Sequence, residues 1–189
     1  MEKRQIRLFN IYPTAEGSYF VVLEEIDSRR KFGILTFQSE ATYILSFFFS
    51  KKSPRPTIYE VFSNFLVHSE VLFSEAVLTQ FEKNVYHAKL VCHLTSGEES
   101  TFDIRATDAI AMALLNHKPL YAAEEVITEC SMKYGAIIDR LIEKSQGPKS
   151  LTEVMNASTL SSYEEQLKRA IEREDYELAA RLKKEHDRQ

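Results

Sequence analysis

The sequence runs through the same order of elements twice, with the matching helix caps 68 residues apart. Residues 19–49 and 86–116 each read as hairpin, strand, helix cap, acid, alanine and helix, and Ser39-Glu40-Ala41 in the first answers Thr107-Asp108-Ala109 in the second. One internal duplication explains this better than coincidence. Two such units supply six or more strands, too many for an all-helical fold and, with hairpin-length connections, mostly antiparallel. The expected fold is α+β. Duplicated β-hairpin–strand–helix units form a barrel-like, mostly antiparallel sheet with packed helices covering its edges, followed by a C-terminal antiparallel helical hairpin.

Periodicity places the pieces. Residues 6–12 alternate apolar and polar, as a strand does. Residues 19–26 and 31–37 flank Asp27-Ser28-Arg29-Arg30, a hairpin turn. From residue 39 the period changes: Ala41, Ile44, Leu45 and Phe48 make a helical face, with Ser39 as the expected cap and Glu40 in the first turn. A second helix is predicted over 58–67, with Val61, Phe62, Phe65 and Leu66 as its buried face and a Thr57/Glu60 capping box at its start. Strands follow over 71–81, 85–95 and 100–105. A helix then begins at Thr107, its predicted cap.

Composition changes along the chain. Residues 1–127 hold four of the five prolines, whereas 162–189 contain no Gly or Pro and are rich in Glu, Lys, Arg, Ala and Leu. The breaker cluster Ser145-Gln146-Gly147-Pro148-Lys149-Ser150 lies between them. We read residues 1–130 as the main domain, 131–160 as a helical connector and linker, and 161–189 as a helical hairpin. The formal net charge is −4, shared evenly: 17 Lys+Arg against 19 Asp+Glu in 1–150, and 7 against 9 in 151–189. The acidity is not a tail masking a basic domain, so any nucleic acid must meet a local basic patch. Two cysteines are too few for a disulfide framework. The polar N-terminus resembles no signal core, and the strongest apolar run, residues 44–49, is far short of the roughly 20 residues that cross a bilayer. The expected location is cytoplasmic, with no membrane contact.

The common catalytic signatures are missing: no P-loop, no Gly-rich dinucleotide turn, no His-Glu-x-x-His and no Cys-x-x-Cys. The most distinctive string is residues 102–111. Asp103 and Arg105, two apart on a strand, share a face, and Asp108 opens the next helix. Two carboxylates and a guanidinium converging there can hold a divalent cation and contact a phosphate. The plainer reading makes Asp108 a helix-start residue and pairs Arg105 with Asp103. In Pro54-Arg55-Pro56-Thr57, two prolines hold Arg55 in an extended segment. With Lys51 and Lys52 it is either a phosphate contact or a solvated connector.

The strings Arg55-Pro56-Thr57, Tyr86-His87-Ala88-Lys89-Leu90, residues 103–114, Pro119-Leu120-Tyr121 and Glu124-Glu125-Val126 together resemble the bifunctional nuclease (BFN) family over about residues 6–127. Asp-x-Arg-x-x-Asp-Ala-Ile-x-x-Ala is the most specific part. The resemblance implies a duplicated, barrel-like antiparallel domain, a homo-oligomer such as a dimer, and cleavage of DNA and RNA. On this reading Asp103 and Asp108 are the metal ligands for Mg²⁺ or Mn²⁺ and Arg105 stabilises charge on the phosphate. Glu40, the matching acid of the first repeat, completes the catalytic set. Arg55, Lys51 and Lys52 hold the nucleic-acid backbone, making binding salt-dependent.

Residues 163–185 carry two apolar stripes separated by Glu174-Asp175, with a Ser162/Glu165 capping box in front. So short a hairpin buries little apolar surface and needs a partner or a second copy. It resembles the UVR motif, the hairpin through which UvrB and UvrC bind one another. That resemblance implies protein docking through Tyr163, Leu167, Ile171, Tyr176, Ala179 and Leu182. Two functions therefore stand: a metal-assisted nuclease with a protein-interaction hairpin, or a non-enzymatic ligand- or partner-binding adaptor linked to DNA repair or stress response.

Overall fold

The computed structural model describes residues 2–14, 17–51 and 53–144. The chain forms β1 (Lys3–Pro13), β2 (Tyr19–Glu25), β3 (Lys31–Thr36), α1 (Gln38–Phe48), α2 (Ile58–His68), β4 (Val71–Glu82), β5 (Val85–Leu94), β6 (Glu99–Arg105), α3 (Ala106–Leu115), β7 (Leu120–Ala123) and α4 (Glu124–Lys144). The 68-residue offset recurs in the observed starts: Lys3 and Val71, Lys31 and Glu99, Gln38 and Ala106. Each repeat is thus three strands and a helix.

The strands form one seven-stranded sheet in the order β3-β2-β1-β7-β4-β5-β6. The short strand β7 sits between two three-stranded meanders, antiparallel to β1 and parallel to β4. All other pairings are antiparallel. The expected barrel-like closure is not seen among the described residues: the sheet is open, with β3 and β6 as its edges. The β4–β5 turn has two residues, Lys83 and Asn84, both at positive φ. That geometry matches the right-handed twist of the flanking strands.

Strand β2 is buried along its whole length, because both faces of the sheet are covered there. Phe20 and Val22 pack with Tyr12 and with Ile138 of α4. Val21 and Leu23, equally buried, point to the opposite face. Helix α1 packs on α3, and α3 lies against β4 and β5. Gly33 of β3 sits where β2 comes closest: a Cβ there would lie 2.0 Å from the Phe20 ring. Phe20 is buried and edge-on to Tyr134, with ring centroids 5.6 Å apart, so it has little room to give. The Gly33 carbonyl also accepts a hydrogen bond from the Tyr86 hydroxyl at 2.8 Å. Gly33→Ala should therefore destabilise the domain by about 1–3 kcal/mol, the usual cost of overpacking. Chemical denaturation checks this, and an unchanged midpoint would refute the close approach.

Two adjacent glutamates of β2 are buried yet charged. Glu24 meets Arg7, Arg29 and Lys31, and Glu25 meets Arg30 at 2.8 Å and the Ser28 hydroxyl. Burial alone would raise both carboxyls. Hydrogen bonds from these partners outweigh it and hold both below the usual range. Arg30 also reaches Glu124 at the start of α4, 2.8 Å away. Its hydrogen bond is the main cause that lowers the Glu124 carboxyl to about 2, against the desolvation that opposes it and with further bonds from Thr128 and Arg4. One guanidinium thus ties the β2–β3 hairpin to α4.

Candidate active site

The first turns of three helices meet around four polar side chains. Helix α2 starts as expected, with Thr57 and Glu60 completing a capping box. That start places Tyr59 in the first turn, and its hydroxyl donates to Asp108 Oδ1 of α3 at 2.7 Å. Arg105, the N-cap residue of α3, reaches across to Glu40 in the first turn of α1, with Nη2 to Oε1 at 3.2 Å. The two repeats therefore present their matching acids, Glu40 and Asp108, at helix starts where the backbone dipole favours negative charge.

Local chemistry separates the roles of these groups. The Glu40 side chain is 13% exposed. Burial would raise its carboxyl, but the Ser39 hydroxyl, its own amide and the Arg105 charge together hold it below the usual range. Ser39 thus donates to Glu40 at 2.8 Å instead of capping α1, whose N-cap is Phe37 without a side-chain bond. Tyr59 is pushed the other way. Burial, the bond to Asp108 and the charges of Asp108 and Glu40 all raise its phenol, so it stays protonated. Its ring packs against Tyr43 and Phe47, with centroids 5.3 and 5.6 Å away.

Two clefts open on this junction. One, of about 280 Å³, is lined by Leu35, Phe37, Tyr86, Arg105 and Thr107. The other, of about 210 Å³, is lined by Ile58, Tyr59, Phe62, Ile104, Asp108 and Met112. A larger cleft, of about 530 Å³, lies where α1 and α3 end, near Phe48 and Leu114, and contains none of the predicted site residues.

The predicted residues that fall among the described ones can now be placed. Glu40 and Arg105 are in direct contact, and Asp108 is bonded to Tyr59, whose phenol is raised in part by the Glu40 charge. The alternative pairing of Arg105 with Asp103 is corrected: its partner is Glu40, 65 residues away. Asp103 is exposed on β6 opposite Lys89, makes no hydrogen bond or ion pair among the described residues, and lines neither junction cleft. Arg55 is exposed just ahead of α2, and Lys51 is exposed after α1. Lys52 lies outside the described residues, as do Tyr163, Leu167, Ile171, Tyr176, Ala179 and Leu182. Tyr59 was not anticipated from the sequence. The capping box at Thr57 was the signal, since it puts Tyr59 one turn from the Arg55 string.

Among the described residues, no group of three or more His, Cys, Asp or Glu side chains is placed to hold a metal ion. No helix among them is long and apolar enough to cross a membrane.

This is an α+β domain built by duplication, with its polar junction at the helix starts of the two repeats. Residues 21–135 match the bifunctional nuclease domain, and the chain belongs to that family. Residues 157–185 match the UvrB/uvrC motif. No curated protein matches the chain.

Proposed function

We propose that the junction of α1, α2 and α3 binds and cleaves the phosphodiester backbone of DNA and/or RNA, and that the UvrB/uvrC motif docks the enzyme onto a protein partner. The observation that carries this reading is the Glu40–Arg105 pair beside the Tyr59–Asp108 pair. Arg105 keeps most of its guanidinium in solvent, with the side chain 67% exposed. It can take a phosphate oxygen while Glu40 aims it. Glu40, held anionic, is a weak proton acceptor at neutral pH, so it acts by positioning Arg105. Tyr59, held protonated, gives its one hydrogen to Asp108 and so orients that carboxylate.

The donor set is too small for a resident metal cage. It suits a Mg²⁺ or Mn²⁺ shared with the substrate, because such ions are commonly held by one or two carboxylates plus phosphates. Asp108, with Oδ2 beside the oxygen bound by Tyr59, would be its ligand at the junction, whereas Asp103 stands on β6 outside both clefts. When bound, the cation would neutralise phosphate charge and supply an activated water. Arg55, Lys51 and Lys52 would extend the phosphate track.

The adaptor reading draws on the same absence of a three-ligand cluster among the described residues. Asp108→Asn separates the two. Asparagine still accepts the Tyr59 hydrogen bond but carries no charge, so the fold is kept. Cleavage of a labelled oligonucleotide with Mn²⁺ should fall about 10²-fold or more. Equal cleavage by variant and wild type would mean the activity does not arise at this site.

A further inference from the structure

The cleft beside Arg105 has more apolar wall than a phosphate needs. Phe37, between β3 and α1, lines it and is 70% exposed. Its ring has no aromatic or cationic neighbour among the described residues. Leu35 and Val85 of the same cleft are exposed as well. Arg105 shares this wall, with one edge of its guanidinium on Glu40, three residues beyond Phe37, and most of the side chain in solvent. At about 280 Å³ the cleft falls just below the roughly 300–1,000 Å³ that holds a drug-sized ligand. It has room for one ring system, with a cation at its edge.

We propose, on the basis of the phosphodiester site above, that Phe37 is the seat of one unpaired nucleobase, stacked on its ring while Arg105 takes the adjoining phosphate. The junction then admits a single strand of DNA or RNA, and a duplex only where its bases are unstacked. The charge at the cleft argues for a nucleotide over an apolar protein surface. A protein side chain laid over Phe37 would take the Arg105 guanidinium out of water, and that desolvation exceeds what the pair with Glu40 returns unless further bonds are made. A nucleotide brings both halves of the match, an anion for the guanidinium and a π face for the ring. Such stacking is tolerant of sequence, because every base has a π face. A base inside a duplex has both faces covered by its neighbours. It reaches the ring only by leaving the stack, at the cost of unpairing. Phe37 therefore selects strand state, and Arg105 holds the backbone.

The test is made on the full-length chain at low salt with metal chelated, so that the strand stays intact. The probes are a short oligothymidylate and an abasic strand with the same number of phosphates. Phe37→Ala should weaken binding of the oligothymidylate about tenfold or more and leave binding of the abasic strand unchanged. Its salt slope should match the wild type, because no phosphate contact is lost. Its melting temperature should match too, because Phe37 is exposed. Arg105→Ala should weaken binding of both strands. The chain contains no tryptophan, so Phe37→Trp adds a lone indole at the seat. That variant should bind as the wild type does, and its fluorescence should be quenched by the oligothymidylate but not by the abasic strand or a fully paired duplex. If Phe37→Ala costs the same on both strands or nothing on either, or if the indole is not quenched, while Arg105→Ala still weakens binding, the base seat is overturned and the phosphodiester site stands. No binding, or binding indifferent to Arg105, would overturn that site and the seat with it.

Discussion

Arg105→Ala should abolish most nucleic-acid cleavage while leaving the domain almost as stable as before. Removing one group aimed at charge developing on a transferring phosphate costs about 10²–10³ in rate. The stability change should stay under about 1 kcal/mol, because the pair with Glu40 is largely solvent-exposed on the arginine side. Oligonucleotide binding should weaken, and its dependence on the logarithm of salt should lose about one unit of slope, as expected for one phosphate contact. Arg105→Lys should rescue little, since an ammonium lacks the planar fork that meets Glu40 and a phosphate together. Parallel cleavage, filter-binding and melting measurements check this. A large drop in melting temperature with unchanged salt slope would make Arg105 structural instead.

Arg30→Met should be the most destabilising of the charge substitutions, at about 2–4 kcal/mol. It strands Glu25, whose side chain is 4% exposed, and removes the main hydrogen bond to Glu124. The sign of the pH dependence follows from the lowered carboxyls. Glu24, Glu25 and Glu124 ionise more readily folded than unfolded. Their contribution is therefore fully present above the unfolded value of about 4.3 and is lost as pH falls through the folded values. For Glu124 the folded value is about 2. Wild-type unfolding free energy should decline steadily from about pH 5 toward pH 2, and Arg30→Met should show a lower and flatter curve. Urea titrations at neutral and acid pH measure both. Parallel curves for the two proteins would mean that Arg30 does not set these carboxyls.

The duplication was readable because each repeat switches from a period of two to 3.6 at the same place, and β2, β3 and α1 in the first repeat match β5, β6 and α3 in the second. The α2 face was not readable. A stripe of Val61, Phe62 and Phe65 shows that a helix has an apolar side, but not that this side meets its own domain, and all three stay exposed. Tyr59 and Ser63 decide the matter by hydrogen-bonding Asp108 and Asn116, partners about 50 residues away. Sheet closure was not readable either, since edge pairing depends on curvature that side-chain alternation does not encode. At the junction the sequence picked out Glu40, Arg105 and Asp108, but local spacing favoured Asp103 as the arginine's partner. The repeat would have suggested the right one, because it brings the starts of α1 and α3 together and Glu40 with them.

The central claim is that Arg105 and Asp108 serve one phosphodiester site, and a cleavage assay on the double variant tests it most directly. Single-turnover rates on one labelled oligonucleotide, with equally purified wild type, Arg105→Ala, Asp108→Asn and the double variant, should show each single variant down about 10²-fold or more. The double should then fall little further than the worse single, as groups acting as a unit do. Wild-type rates in both single variants would contradict the account and leave the junction a structural contact between the two repeats.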